Sequence, residues 1–350
     1  MGIKNLNKFL HKKSEDIFKT IHLSEYAYKK IAVDISLFLY KFKAISNENW
    51  LVCFINMICC LRKNNIHCIF IYDGKAPPEK DNEKIKRQQT KENERKKIYD
   101  LEYSLNIYHT TGIIEQILYD FYTKNSHKRL LGNNDKIDMI FVENEIKKKV
   151  NQIIDITSED FDKTRELFDI LKIPYYISPE EAEKFCSYLC INGLVDAVLS
   201  DDTDVICYNC PFFLTKLDIY NDTFVEISNK NVLNILNITN KQLLDFCIMC
   251  GTDYNNNIPQ IGPENAFKYI SKYITIEEIE KNLKIDVTIL NYIRVRELFI
   301  VFDKYEIINI SYCMIPNFDD LIKFTIKNSL KIDIEKVIKD FTVELIFEDY

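Results

Sequence analysis

The amino-acid sequence predicts an α/β fold with a mostly parallel central sheet. Three features carry that reading: short β-branched apolar runs that end on acidic residues, helical segments between those runs, and a mostly helical stretch after residue 230. The runs are apolar throughout rather than alternating, as strands buried on both faces are. Strands that alternate with helices pack as a parallel sheet, because a parallel neighbour is reached through a helical crossover.

Taken in order, Lys30-Ile31-Ala32-Val33 is the first such run and reaches Asp34. Residues 66–72 form the second and reach Asp73. Residues 195–199 form the third and reach Ser200, Asp201, Asp202 and Asp204. Residues 162–171 and 180–192 read as helices. Residues 87 to about 157 are charged and rich in Tyr and Lys, and they interrupt the alternation; helices and loops inserted into the α/β domain are expected there. Residues 243–249 read as a buried helix, with a helix, turn, helix arrangement running to residue 270. No internal repeat or low-complexity tract is visible.

The chain has 350 residues, 47% apolar and 28% charged, which suits one elaborated domain or two closely joined ones. No apolar run reaches membrane-spanning length and no charged-then-apolar leader opens the sequence. Leu6 stands where a myristoylation signal wants Ser or Thr. An intracellular, soluble protein is expected. The 11 cysteines, an odd number, point to reduced thiols rather than a disulfide framework. Two CxxC pairs, Cys207/Cys210 and Cys247/Cys250, raise the question of zinc, but the second lies in an apolar helix and the spacing between pairs exceeds the zinc-ribbon pattern. The net charge of −7 weighs against nucleic-acid binding, yet the stretch from Lys80 to Lys97 holds eight Lys or Arg against four Asp or Glu.

Seven acids stand out: Asp34, Asp73, Glu181, Glu183, Asp202, Asp204 and Asp253. Singly, each has an ordinary structural reading. Asp34 can cap the helix beginning near Ser36, and Ser178-Pro179-Glu180-Glu181 reads as a capping box with Ser178 as N-cap. Together, acids at strand ends and helix starts would repel and resist ionisation unless cations sit among them. Oxygen ligands suit Mg²⁺ or Mn²⁺, and two such ions about 4 Å apart hydrolyse phosphodiesters. Lys80 and Arg87, seven residues apart, fall on one helix face, where they can stabilise charge on a phosphate. Gly251-Thr252-Asp253-Tyr254 precedes a short turn, Ile258-Pro259-Gln260-Ile261-Gly262, and Pro263 marks a helix start whose N–H groups can hold a DNA phosphate. Glycine is scarce, and Gly2, Gly74, Gly251 and Gly262 all fall in these segments, where φ > 0 or a close backbone approach is expected.

These blocks resemble the flap endonuclease/XPG (Rad2-like) family of structure-specific 5′ nucleases. Met1-Gly2-Ile3, Ile31-Ala32-Val33-Asp34 with Tyr40, Phe70-Ile71-Tyr72-Asp73-Gly74-Lys75 with Lys80, Glu180-Glu181-Ala182-Glu183, Ser200 to Asp204, and Gly251 to Ala266 follow in the family's order over residues 1 to about 270. The resemblance implies a PIN-like fold in a single nuclease domain (1–340). Within it come the amino-terminal acidic strands (1–80), a helical arch (81–157), an internal nuclease region (158–270) with a helix-two-turn-helix at about 243–270, and a helical remainder. It implies that the seven acids hold two Mg²⁺ ions, with Mn²⁺ able to substitute. Lys80 and Arg87 would contact the scissile phosphate, Tyr40 would stack on a base and Gly2 would lie near the site. Ile258 and Gly262 would bind the duplex backbone, with a K⁺ ion at the helix-two-turn-helix.

The implied activity is hydrolysis of branched or flapped DNA in replication, repair or recombination, with 5′→3′ exonuclease activity as a companion. An exonuclease-type or junction-resolving member is the alternative, and a catalytically inactive DNA-binding scaffold a distant one. The interval from Arg87 to Glu181 is longer than in typical flap endonucleases. The final residues Leu345-Ile346-Phe347-Glu348-Asp349-Tyr350 show no clamp-binding peptide, so a sliding-clamp partner is not expected. A monomer working in the nucleus or at a cytoplasmic viral replication site is expected, the compact form fitting a large DNA virus.

Overall fold

The computed structural model describes residues 2–126, 137–300 and 309–342. A sheet of seven strands lies at its centre. They are β1 (Lys19–His22), β2 (Lys30–Asp34), β3 (His67–Tyr72), β4 (Tyr175–Ile177), β5 (Ala197–Leu199), β6 (Phe212–Asp218) and β7 (Thr223–Ser228), in the order β1-β7-β6-β5-β2-β3-β4. The pairs from β6 through β4 are parallel, and β7 and β1 add an antiparallel edge.

The three predicted runs are the adjacent interior strands β5, β2 and β3. Their side chains divide between two layers with the period of two that a pleated strand imposes. Ala32, Ile69, Ile71 and Val198 face one layer. Ile31, Val33, Cys68, Phe70, Ala197 and Leu199 face the other.

The first layer is built on α1 (Leu6–Lys13), α8 (Ala182–Ile191), α11 (Asn240–Cys250) and α12 (Pro263–Tyr273), through Leu6, Phe9, Phe185, Phe246 and Ile270. The second is built on α2 (Ile35–Ser46), α3 (Trp50–Lys63), α7 (Ser158–Leu171), α15 (Phe318–Lys327) and α16 (Ile334–Thr342). There Phe70 stacks on Phe168 with ring centroids 4.2 Å apart. Burying one such ring contributes about 2–3 kcal/mol.

Within the expected insertion (81–157), residues 81–152 form a helical lobe with a core of its own. α4 (Asp81–Thr111) runs for 31 residues and packs with α5 (Gln116–Asn125) and α6 (Met139–Gln152). The three share a small core of Leu101, Leu118, Phe121, Val142 and Ile146. Residues 127–136 of the expected arch lie outside the described residues.

Two expectations need correction. The helix expected over 180–192 begins at Ala182, and Glu181 is its N-cap with extended φ −78° and ψ 145°. Ser178 does not cap it: its hydroxyl accepts from the Glu180 N–H and donates to the Glu181 carbonyl. The helix-capping acceptor is Asp73, whose Oδ1 accepts from the Ala182 N–H at 2.9 Å. The second correction is the β6–β7 hairpin, absent from the expected strands. Its turn carries Asp222 at φ 52° in place of a glycine, so the usual turn signal is missing.

Among the described residues no helix is long and apolar enough to cross a membrane. All eleven cysteines are free. The CxxC pairs do not gather as a four-sulfur set, since Cys207 lies against Cys247 while Cys210 faces Cys190.

Candidate active site

The sheet order puts the carboxyl ends of β5, β2 and β3 side by side. From β2 the chain passes to β3 on one side, and later to β5 on the other. That reversal opens a crevice at the strand ends, where open α/β sheets bind ligands. Asp34 ends β2, Asp73 follows β3 and Asp202 follows β5. The N-terminal end of α8 brings Glu181 and Glu183, and the loop after α11 brings Asp253. Asp34, Asp73, Glu181, Glu183, Asp202 and Asp253 line one cleft of about 310 Å³ with Tyr40, Lys80 and Arg87. Asp204 is buried behind that wall, on the one-turn helix α9 (Asp204–Cys207).

Close backbone contacts hold these segments together. The Gly74 N–H donates to the Glu180 carbonyl at 2.7 Å, and a Cβ on Gly74 would stand 1.9 Å from the Ser178 carbonyl oxygen. Any other residue there would force the β3 and α8 segments apart, and with them Asp73 and Glu181. Gly2 adopts φ +80°, and a Cβ on it would lie 2.2 Å from Asp202 Oδ1. The amino-terminal segment therefore lies directly on the acid loop, pinned by Ile3 N–H donating to Thr203 Oγ1 at 2.9 Å.

The acids resist sharing the space as anions. Burial, then the charges of Asp73 and Asp202, pushes the Asp34 carboxyl well above its ordinary value. Burial, then Asp34, Asp73 and Asp202, does the same to Glu183. Asp204 is raised by burial, then by Asp202 and Asp253. Two like charges 4 Å apart in such surroundings repel by roughly 4 kcal/mol. Lys80 offsets part of this: burial disfavours its ammonium, but Glu181, Glu183 and Asp253 outweigh burial and raise its pKa. Lys80 donates to Glu181 Oε1 and lies 3.5 Å from Asp253 Oδ2; Arg87 Nη2 reaches the same oxygen at 2.7 Å. Lys80 sits in the turn just before α4 rather than on the helix, and Arg87 on the helix itself, yet both side chains converge on Asp253.

The donor set fits divalent cations. Asp204 Oδ1 is buried without a hydrogen-bond partner, an unusual state for a carboxylate oxygen. All seven side chains offer only oxygen, as hard cations prefer. Among the described residues no three His, Cys, Asp or Glu close into a ready-made cage. The acids instead line an open cleft, which suits Mg²⁺, an ion that keeps several of its waters.

The remaining site expectations divide. Tyr40 is 49% exposed at the cleft rim rather than a core tyrosine. Ile258 is buried in the core, while Pro259, Gln260 and Gly262 of the same turn are exposed. Gly262 caps α12 as expected, but at φ −91° with open space around it, so neither φ > 0 nor close packing requires glycine there. Three participants were not singled out from sequence. Ser36 Oγ donates to Asp73 Oδ2 at 2.5 Å. Lys84 lines the cleft, and its position between Lys80 and Arg87 on one helix face was the available signal. Tyr254 donates to Glu181 Oε2. Asp201, within the acidic loop, turns away to Lys41 and Thr215.

Comparison with known proteins places this architecture. Residues 1–94 match the XPG N-terminal domain and residues 172–253 the XPG I-region. "Probable RAD2-like endonuclease 369L" of Invertebrate iridescent virus 6 is 33% identical, over 96% of this chain and 90% of that protein. The chain belongs to the XPG/Rad2 family of structure-specific nucleases. Another member, "Probable RAD2-like endonuclease 076L" of Invertebrate iridescent virus 3, is 37% identical over 85% of each chain. Flap endonuclease 1 of Scheffersomyces stipitis is 26% identical, over 81% of this chain and 69% of its own. Solved XPG/Rad2-family structures share the fold. The catalytic core of Rad2 in complex with DNA substrate superposes with TM-score 0.67 at 17% identity, covering 98% of this chain and 100% of that one. The flap endonuclease-1 of Methanococcus jannaschii gives 0.59 at 21% identity, covering 93% and 95%. Nucleases of this family act on DNA as hydrolases and depend on metal ions.

Proposed function

We propose that this XPG/Rad2-family member is a Mg²⁺-dependent 5′ flap endonuclease that cuts branched DNA near the junction, with Mn²⁺ able to substitute and 5′→3′ exonuclease activity as a companion. One observation carries the reading: six carboxylates from five separated chain segments line a single cleft whose rim holds Lys80, Lys84 and Arg87. A pair of divalent cations, when bound, supplies an activated water and stabilises the leaving oxygen of a phosphodiester.

The chain's own residues do the rest. Asp34, Asp73, Glu181, Glu183, Asp202, Asp204 and Asp253 hold the cations. Lys80 and Arg87 exchange their carboxylate partners for the scissile phosphate and stabilise the charge that develops on it. Tyr40, exposed at the rim, offers a face for a base turned out of the duplex. The start of α12 and the turn from Ile258 to Gly262 bind the duplex through phosphates, with a K⁺ ion at that turn, so affinity falls as salt rises. Residues 81–157 arch over the 5′ strand.

Human GEN1 in complex with Holliday junction DNA superposes with TM-score 0.64, close to the value for Rad2, and it favours junction resolution as the second reading. Incubating the protein with Mg²⁺ and 5′-labelled double-flap, gapped, nicked and four-way DNA separates the two. Release of the flap near its base, faster than any cut in four-way DNA, is expected. Preference for four-way DNA would replace the flap reading with the second.

A further inference from the structure

The acid cleft is backed by two buried tyrosines whose hydroxyls have no part in packing. Tyr254 and Tyr208 are 8% and 2% exposed. Both rings pack on Phe299 of α14 (Tyr292–Phe299), with centroids 5.2 and 5.0 Å away. Phe299 thereby fixes where each hydroxyl points.

Proton counting sets the direction of the hydrogen bonds. A carboxylate only accepts, so the Tyr254 hydroxyl donates its one proton to Glu181 Oε2. Tyr254 then has only lone pairs left for Tyr208, whose hydroxyl lies 2.9 Å away. Tyr208 must therefore be the donor in that contact. Lys80 donates to the other oxygen, Glu181 Oε1. Glu181 is thus gripped from both sides, by an ammonium at the cleft and by a packed phenol pair behind it.

We propose that Tyr254, reinforced by Tyr208, is a positioning residue that sets the Glu181 carboxylate for cation binding, an inference that rests on the metal-dependent reading above. A chain of buried hydrogen bonds polarises each member, so the outer hydroxyl strengthens the inner bond. Glu181 is the N-cap of α8, so its backbone is fixed beside the Asp73–Ala182 contact, and its carboxylate is oriented by the bonds from Tyr254 and Lys80. Its Oε2 is committed to Tyr254. Oε1, shared with Lys80, is the oxygen left for a cation at the cleft. Groups that orient a metal ligand in this way change metal affinity by about 10–100-fold when removed.

The test uses the whole protein, with Mg²⁺ alone as the probe and melting temperature as one readout. Tyr254→Phe and Tyr208→Phe keep the rings and delete the hydroxyls. Wild type is expected to be stabilised by Mg²⁺. Tyr254→Phe is expected to need about 10-fold or more Mg²⁺ for half the stabilisation and for half-maximal cleavage, with kcat recovered at saturating Mg²⁺. Tyr208→Phe is expected to shift the same midpoint in the same direction by less. If Tyr254→Phe lowers melting equally with and without Mg²⁺ and leaves the midpoint unmoved, the hydroxyl only supports the fold and the proposal is overturned. If Tyr254→Phe does not fold, an unmoved midpoint in Tyr208→Phe overturns it alone. Wild type without any Mg²⁺ stabilisation would remove the metal-dependent reading and the relay together.

Discussion

The acid cleft and the inserted helical lobe place charge in opposite ways. In the cleft, Asp34, Glu181, Asp202 and Asp204 are buried beside the other acids, and the backbone around them is fixed by contacts that leave no room for a side chain, as at Gly2 and Gly74. In the lobe, α4 is charged around most of its surface and buries only Ile98, Leu101 and Ser104. Exposed ion pairs tie the lobe to the segment that precedes α7: Lys91 and Arg95 both reach Asp155, whose carbonyl also accepts from Lys43 of the main body. Exposed pairs of this kind contribute ~0–1 kcal/mol each, so the lobe is tied loosely to a rigid site. The difference is functional in form. Ions require carboxylates fixed within a fraction of an ångström, whereas, on the proposed function, a strand of DNA would enter and leave beneath the cations on α4.

The comparison can be broken at its rigid end first. Gly74→Ala is expected to cost ~3 kcal/mol or more, because its Cβ would meet the Ser178 carbonyl at 1.9 Å. A chemical-denaturation midpoint close to that of wild type would show that the strand-end contacts yield. At the junction of the two regions, Arg87→Ala is expected to reduce kcat about 10²–10³-fold with melting temperature unchanged, since Arg87 is part-exposed and acts on charge. An unchanged kcat in single-turnover kinetics would remove Arg87 from the chemistry. Within the lobe, Leu118→Ala is expected to cost ~2–3 kcal/mol locally. Hydrogen exchange would speed up over residues 81–152 and stay constant in the sheet; faster exchange in both would show the lobe and body unfolding as one unit. The smallest effect is expected at the rim. Tyr40→Ala is expected to cost ~1–3 kcal/mol of stacking, read as weaker binding of flap DNA with cleavage position retained.

How far the sequence alone carries this picture varies by residue. Asp34, Asp73 and Asp202 were legible because β-branched runs lead into them, and a parallel sheet aligns its strand ends. Gly2 and Gly74 were legible as glycines in a chain that has few. The local capping-box alternative for Ser178 to Glu181 fails because the acceptor that caps α8, Asp73, lies 109 residues before Ala182. The β6–β7 hairpin was hidden because Asp222 supplies the left-handed turn residue that glycine usually signals. The turn from Ile258 to Gly262 was legible as a turn, but that the core takes the Ile258 side chain was not, because an apolar residue in a turn can face either way. Tyr254 and Tyr208 sit 46 residues apart, and only the fold aligns their hydroxyls.

The central claim is that the buried acids exist to hold catalytic cations rather than to hold the fold. Asp202→Asn tests it most directly. Asp202 is buried and raised above its ordinary pKa, foremost by burial and then by Asp253, so removing its charge relieves repulsion. The variant is expected to melt no lower than wild type without metal and to bind double-flap DNA as tightly. Its cleavage in Mg²⁺ is expected to fall by about 10³-fold, which is roughly 4 kcal/mol of transition-state stabilisation. Cleavage at a wild-type rate by a folded, DNA-binding Asp202→Asn protein would contradict the account.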